Sequence, residues 1–153
     1  MFSYQHILVG VDLSSQSQQI IARVNLLFAK TACKVSLCHI LEPITLAYGT
    51  DIPIDLTEVR SQLQHNAMRA LETLAESLQI SDSQQLVLIG DPAHEMHHLA
   101  DELAVDLIVV GTHGRHGLSL LFGSTSTQVL HGTGCDILAV RINPIDDMDQ
   151  MTT

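Results

Sequence analysis

Short apolar runs alternate along this chain with longer stretches in which apolar residues recur at helical spacing. This alternation constrains the fold more than any other feature of the sequence. Uninterrupted apolar runs are typical of strands that helices cover on both faces. Strands that alternate with helices form a parallel sheet, because each helix returns the chain to the end of the sheet where the previous strand began, in a right-handed crossover. The pattern therefore predicts one sheet with helices packed on its two sides.

Five runs are predicted strands, and the segments between them are predicted helices. The strands span residues 4–12, 34–41, 85–89, 106–111 and 135–142. The first predicted helix follows a cap at Ser14 or Ser15, and the second spans 56–78. The third begins at Pro92, and the fourth spans 124–131. The expected fold class is α/β: a doubly wound, five-stranded parallel sheet in a three-layer α/β/α, Rossmann-like arrangement.

The apolar faces of the predicted helices indicate which helical residues are expected in the core. We expect the core to be aliphatic, because the chain has no Trp and only 3% aromatic residues. The helical residues expected to point inward are Ile20, Ile21, Val24, Leu27, Phe28, Val59, Leu63, Ala67, Leu71, Leu74, Leu78, Met96, Leu99, Ala100 and Leu103.

The charge of the chain argues against two classes of partner. Its formal net charge is −10, with seven cationic residues against seventeen acidic ones. Such a surface repels phosphate backbones and anionic lipids, so neither nucleic acid nor membrane is expected as a partner. The three cysteines form no C-x-x-C pair and are expected to be reduced. With no signal peptide or membrane-length apolar run recognised, the expected location is cytoplasmic.

The domain organisation is expected to be simple. Residues 1–143 are predicted to form one domain, since no composition shift or internal repeat divides them. Residues 144–153 are acidic and polar and are predicted to be a disordered tail.

The segment from Gly111 to Ser126 follows the fourth predicted strand and is rich in glycine and hydroxyl groups. In doubly wound sheets, ligands bind beyond the carboxyl ends of the strands. Glycines let backbone N–H groups approach an anion, and the helix that opens at Gly123 adds its free N–H groups and dipole. Arg115 could add positive charge. A flexible turn with an ordinary cap is the alternative. The segment matches neither G-x-G-x-x-G nor the usual P-loop.

Asp12 ends the first predicted strand and allows two interpretations. Its carboxylate could accept hydrogen bonds from a ribose or an adenine amine, or help hold a metal. It could equally be a residue that caps the turn.

A second motif, H-E-x-x-H, is formed by His94, Glu95 and His98. On a helix the two histidines could hold zinc with Glu95 as base. His113 and His116 are the only nearby downstream candidates for a third ligand, and a solvated polar face is the better account. Cys38 and His39 are neighbours in a strand and face opposite sides, so they do not form a catalytic pair.

Taken together, these motifs resemble the universal stress protein family. The resemblance runs from Tyr4 to Ile142 and is carried by Val-Asp-Leu-Ser after the first strand, by Gly-Asp-Pro at residues 90–92, and by GTHGRHGLSLLFGSTS. The nucleotide-binding branch of that family has the pattern Gly-x2-Gly-x9-Gly-Ser/Thr. In this chain Gly111, Gly114 and Gly123 fit it, but eight residues rather than nine separate the last two.

The resemblance implies a site, a ligand and an assembly. Asp12 and Ile40 would flank the base and ribose of an adenine nucleotide, near Val11, Val110 and Gly111. Ribose or phosphates would contact Gly114, Gly123, Ser124, Thr125 and Ser126. The family also implies a homodimer through the last strand, residues 136–142, which is apolar yet expected at a sheet edge.

Two hypotheses of function follow. In the first, the protein binds ATP, or ADP or AMP, with or without Mg²⁺, as a switch or with slow hydrolysis. In the second, it is a dimeric interaction protein of the same fold that binds no nucleotide, and the shorter glycine loop is its main support. A zinc hydrolase through His94, Glu95 and His98 is the least favoured alternative.

Overall fold

The computed structural model describes residues 3–44, 55–111 and 132–143. Within them the chain forms five β-strands and three α-helices. In chain order these are β1 (His6–Gly10), α1 (Ser17–Phe28), β2 (Lys34–Leu41), α2 (Thr57–Ala75), β3 (Gln85–Ile89), α3 (Pro92–Glu102), β4 (Leu107–Gly111) and β5 (Asp136–Val140). Two short 3₁₀ helices, Glu76–Leu78 and Asp82–Gln84, connect α2 to β3.

The five strands form one parallel sheet in the order β3-β2-β1-β4-β5. The chain builds outward from β1 to β3 and then returns to the other side of β1 to add β4 and β5. Strand order therefore reverses between β1 and β4, where Val9 pairs with Val109. This arrangement confirms the predicted α/β fold class.

Helices cover both faces of the sheet. On one face, Val9 and Val109 pack in a cluster with Ile21 of α1 and Leu71 of α2. On the other face a second cluster is built around α3; it includes Leu8, Ile108, Met96 and Leu99. All five residues of β4 are buried, as expected for a strand with neighbours on both edges and helices on both faces.

Strand bounds follow the prediction closely, whereas the start of α1 does not. The bounds of β2 and β3 agree exactly, and β1, β4 and β5 are shorter than predicted by one to four residues. The predicted cap at Ser14 or Ser15 is wrong, because α1 begins at Ser17 and Gln16 precedes it without a side-chain cap. The Ser14 N–H instead donates to the Asp12 carboxylate at 2.9 Å. The residues after β1 are thus used in a turn of their own.

Burial of the predicted helix faces is only partly as expected. Leu27, Val59 and Leu63 were predicted to point inward, and this is wrong: they are 47%, 48% and 41% exposed. In α2 burial begins at Ala67, so the apolar stripe extends two turns beyond the part of the helix that covers the sheet.

The predicted helix at 124–131 and the predicted tail at 144–153 lie outside the described residues. Among the residues that are described, no helix has the length and apolar character needed to span a membrane.

Candidate functional site

A cleft opens beyond the carboxyl ends of β1, β2 and β4, where the strand order reverses. Parallel α/β sheets bind ligands at this position because loops and helix starts converge there. Its walls are mostly apolar. The lining residues are Gly10, Val11, Asp12, Ser14, Gln16, Ser17, Ile20, Cys38, His39, Ile40, Pro92, Met96, Val110, Gly111 and Ile142.

The cleft brings together the described part of the predicted site. Val11, Asp12, Ile40, Val110 and Gly111 all line it, although they come from three strands up to a hundred residues apart in the chain. The remaining predicted residues lie outside the described part of the chain: Gly114, Arg115, Gly123, Ser124, Thr125 and Ser126.

Asp12 is both a turn residue and a wall of the cleft. Its Oδ1 accepts the Ser14 N–H at 2.9 Å and the Ser17 hydroxyl at 3.1 Å. These bonds hold the carboxylate at the cleft edge and connect the end of β1 to the start of α1. The two interpretations drawn from the sequence are therefore compatible.

The turn that carries Asp12 is conformationally unusual. Leu13 has a φ of 61°, in the left-handed backbone region that residues other than Gly, Asn and Asp rarely adopt. Such a conformation persists only where surrounding bonds determine it. Here Val11 supplies two of them, because its N–H donates to the Cys38 carbonyl at 3.0 Å and its carbonyl lies 2.8 Å from Nδ1 of His39.

His39 lines the cleft and contacts the turn, and it is absent from the site that the sequence predicts. The sequence suggests it only as a partner for Cys38, a role that the alternation of side chains along a strand excludes. The available signal is a titratable side chain near the carboxyl end of β2, directly before Ile40, which the family resemblance names as a site residue.

Two glycines of the cleft are explained by close packing. A Cβ at Gly10 would lie 2.7 Å from Cε of Met96, and one at Gly111 would lie 3.0 Å from both Ile142 Cγ1 and Ile20 Cδ1. The ends of β1 and β4 thus form a floor against which side chains pack directly. Side chains at these two positions would have to displace the cleft walls.

Cys38 of β2 also lines the cleft, and its side chain is 1% exposed. Burial raises the pKa of its thiol to about 12, because the low-dielectric interior disfavours the thiolate. With the proton held, the sulfur packs as a small apolar group rather than acting as a nucleophile.

The H-E-x-x-H motif lies on α3, and of its five residues only Met96 lines the cleft; His94, Glu95 and His98 do not. His94 and His98 are exposed, and Nδ1 of His98 is 3.8 Å from the Glu102 carboxylate on the same helix face. No group of three His, Cys, Asp or Glu side chains that could hold a metal occurs in residues 3–44, 55–111 and 132–143. The downstream candidates, His113 and His116, are not among these residues.

Comparison with known proteins identifies the family. The sequence model of the universal stress protein family matches residues 3–141. Universal stress protein A homologs 1 and 2 of Coxiella burnetii are each 38% identical to this chain, over 139 and 146 residues. These matches cover 90% and 93% of this chain and 96% and 98% of the two relatives. The chain belongs to the universal stress protein family.

Solved structures share its fold at low sequence identity. One is a universal stress protein in complex with cAMP, with a TM-score of 0.64 and 23% identity, covering 93% of this chain and 100% of that one. Another is the universal stress protein of Archaeoglobus fulgidus in complex with dAMP, with a TM-score of 0.52, 17% identity and the same coverage.

Proposed function

We propose that this universal stress protein binds ATP or another adenine nucleotide in the cleft between β1 and β4, as a switch or with slow hydrolysis. The observation that carries the proposal is the convergence of Val11, Asp12, Ile40, Val110 and Gly111 on one cleft at the point of strand reversal. The cAMP and dAMP held by two structural neighbours support an adenine nucleotide as the ligand.

The chemistry of the lining suits the two halves of a nucleoside. Ile40, Val110 and Met96 are 5–7% exposed and offer an apolar wall for a base. The Asp12 carboxylate accepts hydrogen bonds and suits a ribose hydroxyl or an adenine amine. The phosphates would bind Gly114, Arg115 and the glycine and hydroxyl groups of residues 123–126. Mg²⁺ would bind together with a triphosphate and offset its charge.

Slow turnover fits the described lining. Asp12 and His39 are its candidate proton acceptors, and both hydrogen-bond to the turn between β1 and α1. Cys38 keeps its proton, because burial raises its pKa to about 12. A switch read through nucleotide occupancy needs none of these groups as a base.

Isothermal titration with ATP, ADP and AMP, with and without Mg²⁺, tests the proposal. Wild-type protein is expected to bind one of them with a Kd below about 1 mM. Asp12→Asn keeps an acceptor for the turn but loses the charge, and should weaken binding about tenfold. Asp91→Asn is the matched control, since Asp91 also accepts a backbone N–H in a strand–helix turn but does not line the cleft.

The absence of binding at millimolar nucleotide would contradict the proposal. A mass spectrum of gently purified protein gives an independent check, since a co-purified adenine nucleotide supports it. Nucleotide-free protein that does not bind would favour the second candidate, an interaction protein of the same fold. The eight-residue span between Gly114 and Gly123, one shorter than in the nucleotide-binding branch, favours that candidate.

We further propose that the protein forms a homodimer through β5 and the residues up to Ile142. β5 is an edge strand of the sheet, and on one side its backbone has no neighbouring strand among the described residues, as a pairing with a second copy requires. Ile137 and Leu138 are only half-buried, and Ala139 is exposed. A symmetric strand pair would cover these apolar side chains.

A further inference from the structure

We propose that His39 is a positioning residue of this cleft: through the Val11 carbonyl, it holds the turn that presents Asp12 to the ligand. The inference rests on the proposed nucleotide site and adds to it a residue that acts on the backbone of that site. The observation behind it is the 2.8 Å contact between Nδ1 of His39 and the Val11 carbonyl oxygen.

The turn needs such a support. Val11 lies past the last residue of β1, and Leu13 adopts a left-handed φ of 61°. On the amino side of Asp12, β2 holds both polar backbone groups of Val11: the Cys38 carbonyl accepts its N–H, and the His39 ring binds its carbonyl. On the carboxyl side, the Ser14 N–H holds the Asp12 carboxylate. Loss of the His39 bond leaves Val11 held to β2 by its N–H alone and so loosens the segment directly before Asp12.

The contact also places a proton on Nδ1 of the ring. A carbonyl oxygen only accepts, so Nδ1 must carry a proton and donate it to Val11. Nε2 of the neutral ring is then an acceptor. Within the described residues it has no hydrogen-bond partner. Two routes to the ligand must therefore be separated: through Nδ1 and the turn, or directly through Nε2.

Three substitutions separate them. The amide nitrogen of Asn is bonded to Cγ, as Nδ1 of His is, so His39→Asn keeps the donor to Val11. The amide of Gln lies one bond further out, near the position of Nε2, so His39→Gln keeps a polar group there and loses the donor. His39→Leu removes both. His65→Leu is the control, because His65 is exposed on α2.

Titration of each variant with the nucleotide that binds wild-type protein best gives the first readout. His39→Leu and His39→Gln are expected to weaken binding about three- to tenfold, the value of one lost hydrogen bond. His39→Asn and His65→Leu should stay within about twofold of wild type. Backbone amide exchange at residues 12–14 gives the second readout: it should accelerate in the Leu and Gln variants and return toward wild type in the Asn variant.

Wild-type affinity in His39→Leu overturns the inference. So does the reverse order, in which Gln preserves binding and Asn does not, because the ring then acts directly on the ligand. A ¹⁵N spectrum showing Nδ1 unprotonated overturns it too, without any nucleotide. If wild-type protein binds no nucleotide, the proposed function itself falls, and amide exchange still shows whether His39 holds the turn.

Discussion

At the scale of single residues, Asp106 secures the end of the sheet opposite the cleft. Its carboxylate accepts the backbone N–H of Gln5 at 2.7 Å and that of His6 at 3.0 Å, just before β1. Burial alone would raise the pKa of Asp106, but hydrogen bonds from Gln5, His6 and its own N–H, with the charge of His6, hold the pKa below its ordinary 3.8. The ionised form of Asp106 therefore stabilises the folded state.

The sign of this effect predicts a pH dependence. A carboxylate whose pKa is lower in the folded state stabilises the fold above its unfolded pKa, and that contribution disappears as the pH falls through the folded value. Asp106→Asn should thus lose about 1 kcal/mol of unfolding free energy at neutral pH, and the difference from wild type should shrink below about pH 4. Urea unfolding at about pH 7, 5 and 3 measures this.

Asp82→Asn is the control for Asp106, because Asp82 is exposed at the start of a 3₁₀ helix. It should change the unfolding free energy little at any of the three pH values. A difference between Asp106→Asn and wild type that is as large at pH 3 as at pH 7 would contradict the argument.

At the scale of elements, α2 shows that helix period and helix burial are separate properties. Its apolar residues keep the expected spacing from Val59 to Leu74, yet Leu63 is 41% exposed and Leu71 is fully buried. The two leucines lie eight positions apart, about 80° around the helix axis, and both belong to the predicted apolar stripe. Periodicity identifies a face of a helix; the length of the sheet beneath it decides how much of that face is covered.

These two leucines predict unequal costs for the same substitution. Leu71→Ala should destabilise the protein by about 2–5 kcal/mol, since it removes buried methyl groups and leaves a cavity. Leu63→Ala should cost about 0.5 kcal/mol or less, because much of its side chain already contacts water. Urea unfolding of both variants provides the measurement, and equal losses would show that Leu63 is covered in solution.

Much of the fold could be predicted from such patterns, and the family resemblance named five described residues that line the cleft. The bounds of β2 and β3 were correct because apolar runs mark buried strands directly. The start of α1 was wrong because Asp12 binds Ser14, and a local side-chain bond of this kind competes with a helix cap. His39 was missed because its contact with the Val11 carbonyl depends on strand pairing, which no period in the sequence records.

At the scale of the whole molecule, the position of β5 at one end of the strand order makes the proposed dimer testable. A lysine at Ala139 would place two like charges at the shared edge of a symmetric strand pair. Ala139→Lys should therefore shift the protein from dimer to monomer at micromolar concentration, as measured by light scattering after size-exclusion chromatography. Ala70→Lys, at an exposed position on α2, should leave the mass unchanged.

A wild-type protein that is already monomeric at tens of micromolar, or a charged variant that remains dimeric, would contradict pairing through β5.

The strand order β3-β2-β1-β4-β5 also affects how the molecule is completed during synthesis. Of the described strands, β1 is the first to be synthesised, and β2 can pair with one side of it early. The other side of β1 has no neighbouring strand until β4, Leu107–Gly111, is synthesised about a hundred residues later. Until then an apolar strand has an unpaired edge, the kind of surface on which nascent chains associate wrongly. The central strand of the finished sheet therefore keeps an unpaired edge for longer than β2, its first neighbour.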